Sequence, residues 1–297
     1  MTADRHRIAA AGIAAEIAAA GAELCSLRDG AGAEHLWQAG PEWPRHAPVL
    51  FPIVGRLADD TLRHDGRSYR LTQHGFARDR PFTWAERAAD RCRLVLADDA
   101  QTRAAYPFAF RLTLTYAVRD ASLTVDYDVA NPGTETLPVS FGAHPAFRWP
   151  LCDGLAREAH SLTFAAEEPA PVRRLAGGLL DPAPRPSPIA GRHLALSESL
   201  FAADALILDQ VASRAVRYAA PGGSALEVAW RGFPQLGLWM RPGAAFLCIE
   251  PWHGFADPVG YAGPFTQKPG LIHLPPGRSA RAEWRVRLLG PGDTAAA

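Results

Sequence analysis

The stretch Phe110–Val118, FRLTLTYAV, followed after a short turn by Ser122–Val129, SLTVDYDV, decides the fold. Leu112, Leu114, Tyr116 and Val118 alternate with Arg111, Thr113, Thr115 and Ala117, and Leu123, Val125, Tyr127 and Val129 repeat the pattern. A period of two puts every second side chain on one face of an extended chain, so each run is a strand with one buried face. Joined by a short turn, the two runs read as neighbouring antiparallel strands.

The same reading extends along the chain. Asn131-Pro132-Gly133 punctuates, and Thr136–Phe141 resumes an extended pattern. Short runs recur at Ser161–Phe164, Ala205–Leu208, Ala215–Tyr218, Leu226–Trp230, Phe246–Glu250 and Arg281–Leu288. With 26 prolines and 26 glycines to separate them, short strands at this spacing predict an all-β sandwich or barrel. Ile8–Ala22 is alanine-rich and scores as helix on propensity. It contains Gly12 and Gly21, lacks a cap and shows no 3.6 period, so two short strands are expected there. The Pro- and Arg-rich segment 169–188 reads as a long surface loop. Neither a repeat nor a sharp change of composition divides the chain, which predicts one domain over residues 1–297.

Composition narrows the function. Thirty-one basic residues balance 31 acidic ones, which gives no electrostatic reason to expect nucleic acid or an anionic membrane as partner. Cys25, Cys92, Cys152 and Cys248 are scattered without a CxxC pair, so they read as reduced, structural thiols. The N-terminal apolar run is mostly alanine and is broken by Glu16, a weak core for a signal peptide. No run approaches the roughly 18 apolar residues of a spanning helix, and a cytoplasmic protein is expected. GxGxxG, GxxxxGK[ST], HExxH and GxSxG are all missing from positions where they would carry chemistry. No histidines are spaced as ligand pairs, so a metal site is not expected.

Four polar segments stand in apolar or proline-rich surroundings: LFPIVGRL at 50–57, QHGFAR at 73–78, FGAHPAF at 141–147 and CIEPW at 248–252. His144 follows a strand pattern and precedes Pro145, which restricts its backbone. Glu250 ends an apolar run, where desolvation would raise a carboxyl pKa towards the range useful to a general base, although a strand-end glutamate facing water is an equal reading. Together and in this order the four segments resemble the aldose 1-epimerase (galactose mutarotase) family, in particular its LacX-like bacterial subgroup.

The resemblance implies a large antiparallel β-sandwich that binds a hexose in a cleft and needs no cofactor or metal. By position it implies Glu250 as catalytic base, His144 as general acid and His74 as a second histidine near the ring oxygen. Arg56 and Asp204 match residues that hold sugar hydroxyls, while Gln73 and Arg78 flank His74 within reach of substrate. Arg78 could equally serve a structural ion pair, and Trp252 could either stack on the sugar or pack the core. A branch of the family acts on hexose 6-phosphates, and Arg56, Arg78 and Arg80 near the motif keep that substrate open. A non-catalytic sugar-binding sandwich would not need both His144 and Glu250, and a glycoside hydrolase would need a second carboxylate, Asp204 or Asp257, opposite Glu250. The protein is expected to act as a monomer or homodimer on a small sugar.

Overall fold

A computed structural model describes residues 4–290. The hairpin of alternating residues forms as expected, as strands Arg111–Arg119 and Ser122–Ala130 in continuous antiparallel register. Both sit inside a nine-stranded antiparallel sheet. Its order is His193–Ala195, Ser161–Phe164, Ala215–Ala219, Ala225–Arg231, Ser279–Leu289, Ser122–Ala130, Arg111–Arg119, Arg91–Ala97 and Thr83–Arg87. The inward residues of the hairpin, Leu112, Leu114, Leu123, Val125 and Val129, are completely buried. Their polar alternates line the opposite face, as a half-buried antiparallel sheet requires.

A second sheet runs Leu206–Leu208, Gln235–Trp239, Phe246–His253, Phe141–Ala143 and Val49–Leu50, with Ala146–Arg148 also pairing on Phe246–His253. The inner faces of the two sheets meet in one core. Tyr127 of the large sheet stacks on Phe141 of the smaller one (centroids 5.9 Å apart), and its hydroxyl donates to Gly142 O at 3.4 Å. This is the expected β-sandwich. The alanine-rich N-terminus is extended, as expected, with Arg5–Ala10 paired on Ile13–Ala18 and the latter on Leu24–Asp29.

Two expectations change. The run Thr136–Phe141 divides into Leu137–Val139 and Phe141–Ala143. At the break, Ser140 N–H donates to Pro52 O and its Oγ accepts from Val54 N–H, both at 3.0 Å, so the 50–57 loop docks there. The segment 169–188 is not a plain surface loop. Leu175–Ala176 pairs with Leu179–Leu180, and Arg173 exchanges backbone hydrogen bonds with Ile207 at the edge of the second sheet. Its proline and glycine content masks pairing that tertiary contact imposes.

Candidate active site

The four segments converge on one cleft of about 720 Å³ on the outer face of the second sheet. Glu250 lies in the middle of Phe246–His253, opposite Gly237 in the register. Strand alternation puts Cys248, Glu250 and Trp252 on the cleft side and sends Leu247 and Ile249 into the core. His144 occupies the two-residue break between Phe141–Ala143 and Ala146–Arg148, both of which pair with the glutamate's strand. His144 Nε2 is thereby held 3.3 Å from Glu250 Oε2.

Glycines allow the flanking loops to close on this pair. Gly75, in the turn after His74, has φ +69°, and a Cβ there would sit 2.3 Å from Phe51 O. A Cβ on Gly55 would sit 2.5 Å from Ala256 N. Only residues without side chains permit these backbone approaches. The 50–57 and 73–78 loops then bond reciprocally: His74 N–H donates to Gly55 O (2.8 Å) and Gly55 N–H donates to His74 Nδ1 (3.1 Å). Because Nδ1 accepts, the neutral ring of His74 carries its proton on Nε2.

Burial controls the charges. Glu250 is 1% exposed, and desolvation holds its carboxyl well above the usual carboxylate range. The indole N–H of Trp252 offsets part of the rise without meeting hydrogen-bond geometry, and the Asp204 charge adds to it. Desolvation, aided by the charges of Arg78 and Arg45, pushes His144 down to about 3. His74 falls well below its ordinary value, first through burial and then through His144, Arg78 and Arg45. Burial therefore pushes both members of the His144–Glu250 contact towards their neutral forms. That push opposes the charge states that the acid and base roles require at neutral pH.

The structure brings His144, Glu250, His74, Gln73, Arg78, Asp204 and Trp252 together on the cleft lining. Asp204 stands at the exposed rim, in a left-handed turn (φ +66°), with Oδ1 accepting from Ala205 N–H at 2.7 Å. Arg78 reaches Gln73 O at 2.7 Å, while its buried Nε has no hydrogen bond and lies 3.8 Å from Asp79 Oδ2, the structural ion pair of its alternative reading. The expectation for Arg56 is corrected: it does not line the cleft. Its guanidinium turns to Asp60 instead, with Nε 2.8 Å from Oδ1. The reading of the sequence also missed three wall residues. Trp43 stacks on His144 (5.1 Å, 30°), Trp239 meets it edge-on (5.6 Å, 89°), and Arg241 lines the mouth. The cue was Trp239-Met240-Arg241-Pro242-Gly243, where a strand pattern ends in an arginine before a turn. Among the described residues, two groups could hold a metal ion: Glu23 with Cys25 and His46, and His144 with Cys248 and Glu250. No helix among them is long and apolar enough to cross a membrane.

The sequence model of the aldose 1-epimerase family matches residues 4–284. Protein LacX (chromosomal) of Lactococcus lactis subsp. lactis is 32% identical over 281 residues, covering 91% of this chain and 94% of that protein. Among solved structures, the galactose mutarotase related enzyme from Lactobacillus acidophilus is similar at a TM-score of 0.90 and 31% identity, covering 99% of this chain and 100% of that one. A galactose mutarotase-like protein from Lactobacillus casei ATCC 334 gives 0.87 at 28% identity, covering 96% and 100%. With the family model and these relatives all spanning nearly the whole sequence, the chain belongs to the aldose 1-epimerase family.

Proposed function

We propose that the protein is an aldose 1-epimerase that interconverts the anomers of a hexose without a cofactor, with His144 and Glu250 as its proton-transfer pair. The buried 3.3 Å contact between these two side chains at the cleft floor carries the reading.

Anomer exchange needs a proton removed from the C1 hydroxyl and one delivered to the ring oxygen, so that the C1–O5 bond opens to the aldehyde. Rotation about C1–C2 and closure on the other carbonyl face return both protons. The pair holds one proton between its two groups. Before a sugar binds, burial favours that proton on Glu250. The unpartnered Glu250 Oε2 then gains a donor from the C1 hydroxyl, and a hydrogen bond to the charged form favours ionisation. Moving the proton to His144 leaves Glu250 as base and His144 as acid. His74, with its proton on Nε2, supplies a neutral donor to the sugar, and Trp252 a flat apolar surface. Gln73 and Asp204 reach hydroxyls from the rim, and Arg56 could do so only by leaving Asp60.

A phosphorylated hexose is the second reading. The two guanidinium groups on the cleft lining, Arg78 and the exposed Arg241 at the mouth, favour it, since guanidinium groups suit phosphate.

Polarimetry of α-D-glucose and α-D-galactose in weakly catalytic buffer tests the proposal, with wild type beside Glu250→Gln and His144→Gln. Each variant should lose on the order of 10²–10⁴-fold in rate, the worth of a placed acid or base. Full activity in both variants would refute the assignment. If wild type accelerates neither sugar, glucose 6-phosphate is the next substrate.

A further inference from the structure

We infer that His144, Cys248 and Glu250 together form a binding site for a thiophilic divalent cation of the zinc class, and that occupying it shuts the cleft. One donor atom from each of the three lies within 4.8 Å of the others. A tetrahedral zinc, with bonds of about 2.0–2.3 Å, sets its ligand atoms about 3.3–3.8 Å apart. His144 Nε2 and Glu250 Oε2 already meet that spacing at 3.3 Å. The remaining closure, on the order of 1 Å, lies within reach of a side-chain adjustment at Cys248. Imidazole, thiolate and carboxylate together select a borderline-soft ion over magnesium or calcium.

Two features favour this trio as a ligand set. The ligand atoms face one another: Glu250 Oε2 is buried without a hydrogen-bond partner, His144 Nε2 lies 3.3 Å from it, and all three residues are buried. His144 and Glu250 both line the cleft, so a fourth ligand would reach the ion from that side, as in zinc sites with three protein ligands. The other candidate trio spends part of its capacity on the backbone, although His46 Nδ1, 3.7 Å from Glu23 Oε2, has no hydrogen bond. Glu23 Oε1 accepts from His46 and Ala47 N–H at 2.7 and 3.1 Å, and Cys25 donates its thiol proton to Glu23 O. Because His144 Nδ1 has no second partner to orient the ring, the site should bind reversibly and not as a structural centre.

Occupation would use both members of the proposed proton-transfer pair, so a bound ion inhibits. The binding claim does not depend on the activity; the inhibition claim rests on it.

The test uses the full chain, stripped with chelator and desalted. Zinc sulfate is titrated while tryptophan fluorescence is read, since Trp43 and Trp239 pack on His144. Cobalt(II) is titrated in parallel for its thiolate charge-transfer band. We expect saturation at one ion per chain, with a cobalt band that Cys248→Ala abolishes and Cys25→Ala leaves intact. His144→Gln should weaken zinc binding at least tenfold, and it is the second variant should Cys248→Ala fail to fold. Absence of saturable binding, or a band that follows Cys25 instead of Cys248, overturns the site. Saturating zinc should slow mutarotation by about 10²-fold or more, reversibly with EDTA. Unchanged activity at full zinc occupancy overturns the inhibition. Zinc binding by a protein with no mutarotase activity would sink the proposed function while leaving the site standing.

Discussion

The Trp252 indole is the most tightly fitted side chain on the cleft floor, and Gly237→Ala tests that fit. The indole crosses two neighbouring strands at glycines. A Cβ built on Gly237 would lie 2.4 Å from Trp252 Cη2 and 2.5 Å from Cζ2, and one on Gly142 would lie 2.6 Å from Cδ1. Ordinary carbon contacts are about 3.5–4.0 Å, so alanine at 237 forces the six-membered ring to move by more than about 1 Å. Gly237 has no positive φ, and the strain is therefore steric alone. Overpacking of this kind costs about 1–3 kcal/mol, which at roughly 2–4 °C per kcal/mol lowers Tm by about 2–12 °C. The displaced ring has the cleft as free space and carries the floor beside Glu250 with it. A shift of about 1 Å in a catalytic assembly costs up to about 10²-fold, so kcat/KM should fall by between about 10- and 10²-fold. Scanning calorimetry and polarimetry read the two effects. Trp252→Phe removes the carbons that clash, so adding it to Gly237→Ala should return most of the lost Tm. If Gly237→Ala keeps its Tm within about 1 °C and its kcat/KM within about twofold, the indole is not pinned and the reasoning fails.

Lys268 is buried, with Nζ donating to Phe255 O (2.5 Å) and Pro269 O (3.2 Å), and Asp257 Oδ1 at 3.8 Å; burial pulls its pKa down to about 8. From pH 8 to 10.5 the unfolded chain holds the proton the folded one has released, so this group adds about 3 kcal/mol of stability as pH rises. Urea unfolding at pH 7.5 and pH 10.5 should show that gain in wild type relative to Lys268→Met; parallel curves would refute it. Gly75→Ala combines φ +69° with a backbone clash and should cost about 3 kcal/mol or more, read by chemical denaturation. A loss below about 1 kcal/mol would mean that the 50–57 and 73–78 loops are not locked there. Arg241→Ala should raise KM for glucose 6-phosphate about tenfold, near 1.4 kcal/mol, and leave free glucose within about twofold. Equal effects on both substrates would remove the support for a phosphorylated hexose.

The fold was legible because its strands carry their burial in the order of residues. Leu112, Leu114, Leu123 and Val125 could be assigned to the core from period two alone, and all four are fully buried. The convergence of His74, His144 and Glu250 was legible through the motifs, whose glycines mark where backbones must touch. What the sequence hid depends on neighbours distant in the chain. Trp43, among prolines and charged residues, and Trp239, in an apolar run, show no sign of the site until His144 is placed against both. Arg56 keeps company with Asp60, four residues away, a local pair that a motif match cannot weigh against a sugar still to arrive.

The charge of the central pair was the least legible property, because it is set by burial that no single segment reveals. A glutamate and a histidine 3.3 Å apart near the surface would form an ion pair at neutral pH. Taken below 10% exposure with no further donors, both lose more by desolvation than their mutual attraction returns. Burial thus favours the neutral pair, with the proton on the carboxyl group, and a ligand that brings its own hydrogen bonds would shift that balance. In the proposed reaction a hexose hydroxyl would supply a donor to Glu250 Oε2. The same unsatisfied atoms that wait for a sugar also suit a cation, which ties the proposed activity and the proposed zinc inhibition to one physical cause.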